Sequence, residues 1–436
     1  MEKLIISNFL NLQDMELDLG KINIIIGPQA QGKSVLAKLV FFFKNFWVNY
    51  RNSIIAEVTK REFDRQLIQE FKEIFPYYSW NNQDFKIIYQ DNEYEIILKN
   101  SQLDSGRFKL VLDYPQSLSK TRNKLIRKLK KTKEQPIRQI DFFEYSWRDF
   151  NVSEELLKEL FPSPSFNAPQ YESIKDPFFI PAGRSFFAIV EENIFSFLSS
   201  KIELDYFLKE FGSYYELCKK NYKESSPKQG SLYNLISTII SGKYVRENDQ
   251  DWIYCNPDQR KIHVSNASSG QQEALPMILI LAIFPFIEPS SLFNKFFLIE
   301  EPEAHLFPKS QKHIIELISL VFNLTKKNHG FFITTHSPYI LTAFNNLIQA
   351  GNTLKAINQR ADKEEQRKKL FKIVSENLTL DINDFRVYTL ENGKLESIID
   401  RENQLIDANI IDGVSEEISE TFEKLVELEI ELQSEE

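Results

Sequence analysis

Eight residues near the start of the chain have types and spacing that could do chemistry. Gly27, Pro28, Gln29, Ala30 and Gln31 lead into Gly32, Lys33 and Ser34, which together fit G-x-x-x-x-G-K-[ST]. Glycines in that pattern let backbone N–H groups turn inward around a polyphosphate. The lysine reaches the β- and γ-phosphates, and the hydroxyl takes a place on Mg²⁺. The expected ligands are therefore a nucleoside triphosphate, held by residues 27–34, and Mg²⁺ at Ser34.

Three later stretches carry further candidates. "KFFLIEEPEAHLFP" (295–308) is an apolar run that ends in Glu300 and Glu301. Buried acids cost free energy unless they are paired or metal-bound. Beside a phosphate loop, the first acid is expected to support Mg²⁺ and the second to act as general base on the attacking water. Acids decorating a helix start before Pro302 are the alternative, which the company of the phosphate loop disfavours. "GFFITTHSPYIL" (330–341) ends a second apolar run at His336. A lone histidine is usually structural, but this one stands at a strand end, where ligands collect in α/β sheets. "SNASSGQQEALPM" (265–277) places Ser268, Ser269, Gly270 and Gln271 before an apolar helix, an arrangement suited to an anion and equally to a turn.

The elements that must position these residues can be read from periodicity. Ile22 to Ile26 is a buried strand, and apolar residues at Val35, Leu36, Leu39, Val40 and Phe43 predict a helix from Ser34 to about Tyr50. Residues 85–99 alternate around Asp-Asn and read as a hairpin, with a further strand at 107–114. A second hairpin is expected at 251–264. Beyond it, helices at 271–284, 309–323 and 338–349 alternate with strands at 296–300 and 331–335. Two short strands (386–398) and an acidic helix (414–432) close the chain. The expected division is a core from 1–114 and 251–436, interrupted by a mainly helical insertion at 115–250.

Composition limits the function classes. The chain has 436 residues, 42% of them hydrophobic and 26% charged, and a net charge of −9. This is a globular balance with no general nucleic-acid signature. Two cysteines, Cys218 and Cys255, stand in no metal spacing and read as reduced thiols. The longest apolar run, 274–287, is too short to span a bilayer, and no signal-like region opens the chain. A cytoplasmic location without membrane contact is expected.

The stretch 118–138 differs from the rest. Between Lys120 and Arg138 there are nine Lys and Arg against one Glu, so the remainder of the chain carries −17. A solvated helix face explains this, and so does a surface for DNA or an acidic protein. With only Leu125, Ile126 and Leu129 as apolar anchors, little packing is expected for such a helix, and this favours a partner.

Taken in order, "GPQAQGKS", "SSGQQE", "LIEEPEAHLFP" and "ITTHSPYIL" resemble the Walker A, signature, Walker B with D-loop, and switch-histidine motifs of ABC-class ATPases, in the RecF/SMC/OLD-like branch. "FIPAGRS" (179–185) also resembles a motif of that branch, with Arg184 as its arginine. The resemblance covers about 1–50, 177–187 and 260–400. It implies a P-loop NTPase core with a mixed sheet, and a head-to-tail dimer or higher homo-oligomer. In that assembly Ser268, Ser269, Gly270 and Gln271 of one copy close over ATP bound by the other. His336 becomes the switch histidine and Ala304 to Leu306 the D-loop. The Q-loop has only Gln90 as a candidate by type.

Among functions, an ATP-hydrolysing switch for a separate effector such as a nuclease or toxin, in anti-phage defence, is the main expectation. A DNA repair or recombination ATPase acting directly on DNA is the alternative. A transporter motor is disfavoured because Lys33 and Ser268 lie 235 residues apart and no tyrosine precedes the phosphate loop. An OLD-type nuclease domain has little room in the 100 residues after His336. Asp381 and Asp384 are its only tempting pair, and capping explains them better.

Overall fold

The computed structural model describes residues 2–91, 94–132, 175–188, 205–222, 230–256, 258, 260–287, 294–407, 420 and 422–426. The chain opens with strands β1 (Glu2–Ser7), β2 (Met15–Leu19) and β3 (Ile22–Ile26), then helices α1 (Lys33–Ile55) and α2 (Lys60–Ile74). Strands β4 (Phe85–Gln90), β5 (Glu95–Gln102) and β6 (Phe108–Asp113) follow, and then helix α3 (Gln116–Thr132). The hairpin expected at 85–99 is present, with Phe85 opposite Asn100. β1 and β2 join β4, β5 and β6 in an antiparallel sheet of order β2-β1-β4-β5-β6, separate from β3.

The second sheet carries the strands that end at the candidate site residues. Its further strands are β7 (Asp176–Ile180), β11 (Lys295–Glu300), β12 (Gly330–Thr335), β13 (Phe385–Glu391) and β14 (Lys394–Ser397). Between β7 and β11 come α4 (Tyr206–Asn221), α5 (Gly230–Ile239), the small sheet of β8 (Gly242–Glu247), β9 (Gln250–Cys255) and β10 (Lys261–His263), and α6 (Ser269–Ile283). Helices α7 (Pro308–Leu324) and α8 (Pro338–Asn358) follow β11 and β12. The order is β14-β13-β3-β12-β11-β7, parallel throughout except for the β13–β14 pair, so the sheet is mixed. The chain thus has an α/β P-loop-ATPase-like core. β7 falls inside the span read as insertion. Its residues DPFFI are all buried and pair with β11, so the core sheet claims them.

Alternation along β3 sends Ile22, Ile24 and Ile26 into one core and Ile25 into another. The first core lies under α6, α7 and α8. From Glu273 to Ile283 every residue of α6 is buried, so that helix is apolar all round, as a central helix must be. The second core fills the space between the mixed sheet, α1 and the antiparallel sheet, with edge-on contacts among Phe9, Phe42, Phe71 and Phe85. Asn23 is fully buried within the sheet and donates to Gly20 O and Phe331 O, which ties β3 to β12 across 308 residues. Cys218 and Cys255 are both free and buried. Burial pushes the Cys218 thiol up to about 12, which leaves it unreactive.

Helix α3 corrects the expectation of a basic helix with little packing. Leu118, Arg122 and Leu129 are buried, and Leu125 and Ile126 pack on the second core. Arg122 donates through Nε to Ser53 Oγ at 2.8 Å and through Nη2 to Ser53 O and Val58 O. One of the nine cations is therefore an internal clip on the end of α1. Lys120, Lys124, Arg127 and Lys130 are exposed, and Lys130 lies 3.4 Å from Glu57. Residues 133–138 of the basic segment lie outside the described residues, as does most of the expected closing helix. Among the described residues no helix is long and apolar enough to cross a membrane.

Candidate functional site

Parallel pairing puts the carboxyl ends of β3, β12, β11 and β7 on one edge of the sheet. Ile26 is level with Thr335, Glu300 with Thr334, and Ile299 with Ile180. The phosphate loop, both acids, His336 and the "IPAGRS" turn therefore converge. Open α/β sheets place their ligand sites at such an edge.

The phosphate loop runs from the end of β3 to Gly32, which caps α1. Gly27 has no room for a side chain, because a Cβ there would stand 2.2 Å from Leu390 O. Ala30 is left-handed, with φ 59°, and its carbonyl accepts from Asn11 Nδ2 at 3.1 Å. Gln31 Oε1 accepts the Asn392 N–H at 2.7 Å. The loop is thus backed by the β1–β2 turn on one side and the β13–β14 turn on the other. Lys33 is buried, and its Nζ donates to Gly27 O at 2.7 Å and Pro28 O at 2.6 Å. Burial pulls its pKa down to about 8, against the raising effect of the Glu301 and Glu303 carboxylates.

His336 lies between Lys33 and Glu301. Its Nδ1 is 3.2 Å from Lys33 Nζ and its Nε2 is 3.3 Å from Glu301 Oε1. Glu301 sits at φ 43°, a left-handed conformation that ends β11 abruptly and turns its half-exposed carboxylate to the ring. Its N–H remains in the sheet, donating to Thr334 O at 2.9 Å. Glu300 is buried. Its Oε2 accepts from Ala182 N at 3.3 Å, while Oε1 is buried without a hydrogen-bond partner. Burial raises the Glu300 pKa, and the nearby Ser34 hydroxyl and Lys38 oppose the rise. A buried carboxylate oxygen without a partner, beside a hydroxyl, is a donor set that suits a hard cation such as Mg²⁺.

Glu303 is a site residue that motif spacing did not single out. Its Oε1 accepts Thr335 Oγ1 and the His336 N–H, both at 2.7 Å, so it fixes the strand end that carries the imidazole. Its other oxygen is buried and unpaired. Gln311 does the same for the neighbouring turns, donating to Leu306 O and accepting from Ser337 Oγ. The only sequence signal for Glu303 is a third acid within four residues of Glu300.

The 268–271 segment is well formed but stands apart. Ser268 and Gln271 make a capping box at the start of α6, and Gln271 Nε2 donates to Ile240 O at 2.7 Å. A Cβ at Gly270 would stand 2.7 Å from His305 O, so this glycine lets α6 touch the loop of Ala304 to Leu306. Ser268 and Ser269 are exposed. Among the described residues no hydrogen bond or ion pair joins 268–271 to 27–34.

Two other candidates fall away from the edge. Gln90 pairs with Lys3 at the opposite end of β1 from the 8–12 turn, and its amide donates to Glu95, so it is no Q-loop residue. Asp381 accepts from Asn383 N, and Asp384 pairs with Lys327 at 2.6 Å, so both are structural. Among the described residues no group of three or more His, Cys, Asp or Glu forms a metal cluster.

A family model described as an AAA ATPase domain matches residues 1–341. Among solved structures, the SMC head domain from Thermotoga maritima matches with a TM-score of 0.34 and 13% identity, covering 91% of this chain and 97% of that one. An SMC head with an extended coiled coil, bound to the C-terminal domain of ScpA and derived from Pyrococcus furiosus, matches at 0.36 and 12%, covering 96% and 100%. The recombination mediator RecF matches at 0.29 and 12%, covering 91% and 97%. A search of curated proteins finds no match.

Proposed function

The chain belongs to the AAA ATPase domain family, and from that premise we propose an ATPase that closes two copies of itself around ATP and hydrolyses it between them. The observation that carries the reading is the lack, among the described residues, of any hydrogen bond or ion pair between 268–271 and 27–34 within one copy. The phosphate loop, Glu300, Glu301 and His336 share one sheet edge, while Ser268 and Ser269 are exposed. A second copy brings an intact 268–271 segment to each phosphate loop.

In this reading Gly27 to Ser34 wrap the phosphates, and Lys33 exchanges its two loop carbonyls for phosphate oxygens. Ser34 and Glu300 would hold Mg²⁺, which would supply charge neutralisation on the phosphates. Glu301 takes the proton of the attacking water, and His336 orients that carboxylate and reaches toward the γ-phosphate.

The test is complementation. A Lys33→Ala copy and a Ser269→Arg copy should each be inactive alone. Mixed, they should regain part of the hydrolysis, because one shared interface pairs an intact loop with an intact 268–271 segment. Mixed oligomers that form without any return of activity would exclude sites built across two copies.

For the target, direct action on DNA moves ahead of an effector in anti-phage defence. The supporting observation is the one-sided exposure of Lys120, Lys124 and Arg127 on a helix whose other side is packed. Such a row matches a phosphate backbone. An effector nuclease or toxin remains the second reading, because an acidic protein would use the same row. Charge reversal of the row, argued below, separates the two.

A further inference from the structure

The "IPAGRS" turn has no part in the scheme above, yet it holds an arginine with no solvent exposure. Every nitrogen of the Arg184 guanidinium faces an oxygen. Nη1 donates to Pro181 O and Glu300 O, each at 2.8 Å, and Nη2 donates to Glu301 O at 3.0 Å. Nε donates to Glu273 O at 3.1 Å, and Nη2 is 3.2 Å from Glu273 Oε1. The Glu273 carboxylate also accepts the backbone N–H groups of Arg184 and Ser185, at 2.9 and 2.8 Å.

The partners fall into three groups. Pro181 ends β7. Glu300 and Glu301 are the two acids at the end of β11, bound here through their carbonyls. Glu273 lies in the first turns of α6, three residues after Gly270. A single planar fork therefore joins the 268–271 helix to the backbone of both acids. Glu301 needs such support, because a non-glycine residue at φ 43° is strained unless its surroundings hold it. Burying the pair for stability alone is poor economy, since apolar side chains of like volume do as well.

We propose that Arg184 is a positioning residue that couples α6 to Glu301. When a second copy's ATP seats against Ser268 and Ser269, movement of α6 passes through Glu273 and Arg184 to the Glu301 carbonyl, and so sets the carboxylate for catalysis. The proposal rests on the reading of Glu301 as base. It adds the route by which engagement of one copy is reported to that copy's own catalytic acid.

The test uses the full chain with an Arg184→Met, Glu273→Leu double replacement, alongside Arg184→Lys, Glu273→Gln and Glu301→Gln. Thermal melting, ATP affinity, ATP-dependent self-association, kcat and KM are measured for each. The double variant is expected to fold, to bind ATP within about threefold of wild type and to self-associate. Its kcat should fall about 10²-fold, the scale of a misplacement of roughly 1 Å. Arg184→Lys should fall comparably, because an ammonium is not a planar fork. A folded double variant with kcat within about threefold of wild type would overturn the coupling. So would an equal loss of ATP affinity and kcat, which would make Arg184 a prop of the phosphate site. If the double variant does not fold, Glu273→Gln decides: a kcat loss of about tenfold at unchanged KM supports the link, and a loss under twofold overturns it. The base reading fails separately, by turnover surviving in Glu301→Gln whatever the clamp variants do.

Discussion

Lys33 and His336 are in direct contact, Nζ to Nδ1 at 3.2 Å, although 303 residues separate them in sequence. An ammonium can only donate, so Nδ1 must accept and Nε2–H faces Glu301. On the proposed roles, phosphate binding and base orientation share one imidazole. Lys33→Ala should abolish ATP binding. Glu301→Gln should keep binding and lose about 10²–10⁴ in turnover, because an amide cannot take the proton of water. His336→Ala should weaken both, turnover more than affinity. Equilibrium binding of a fluorescent ATP analogue, with phosphate release, checks all three.

The depressed Lys33 pKa, about 8, gives ATP affinity a pH dependence. Phosphates favour the charged lysine, so binding takes up a proton where the free lysine is neutral. Affinity should be flat below about pH 8 and fall above it, by at most roughly tenfold per pH unit. Calorimetry in two buffers of different ionisation enthalpy at pH 9 should show proton uptake that is absent at pH 7.

Gly270→Ala should act without touching the phosphate loop. The added methyl must displace His305 O, so the Ala304–Leu306 loop shifts or α6 retreats. ATP affinity of the separate copy should hold, while turnover falls at least tenfold, in the range expected for a site held out of register.

Reversal of Lys120, Lys124 and Arg127 to Glu tests the target. If three phosphates are engaged, the log–log salt slope of duplex DNA binding should flatten by about 3 units in the variant. Loss of a co-purifying protein with DNA binding unchanged would favour the effector reading. No change in either would make the row a solvated surface. Arg122 must be left in place, since its removal would strip Ser53 and Val58 of a buried donor.

Glu70 offers a stability test away from the site. It is buried between α1 and α2, accepts from Asn45, Asn49 and Tyr206, and is raised to about 7, chiefly by burial. The native state then holds this proton more tightly than the unfolded chain. The associated stability is present below about pH 4.5 and is lost as pH rises through about 7, a span of roughly 3 kcal/mol at most. Glu70→Gln mimics the protonated acid. It should match wild type near pH 5 and exceed it at pH 8 in urea unfolding.

The sequence could show the strand–loop–helix at 22–50, the hairpins at 85–99 and 251–264, and the two strands that end in Glu300 and Thr335. Each of these rests on local periodicity. What stayed hidden depends on distant pairing. Nothing local tells that β1 and β2 leave β3 for another sheet, or that DPFFI joins β11 more than a hundred residues later. Arg122 looks like one cation among nine, yet packing against Ser53 makes it internal. Glu273 and Arg184 are 89 residues apart, and only burial of both charges reveals them as a pair.

The backing of the phosphate loop by Leu390 and Asn392 has a bearing on biosynthesis. The turn that supports the loop is translated 361 residues after it. Until then Gln31 lacks its backbone donor and Gly27 its wall, and β3 lacks its β13 neighbour. On the proposed reading, a growing chain lacks the finished nucleotide site, and ATP-driven pairing with a completed copy would wait until the β13–β14 turn is made. A fragment cut at residue 341, where the family match stops, would inherit the same deficit.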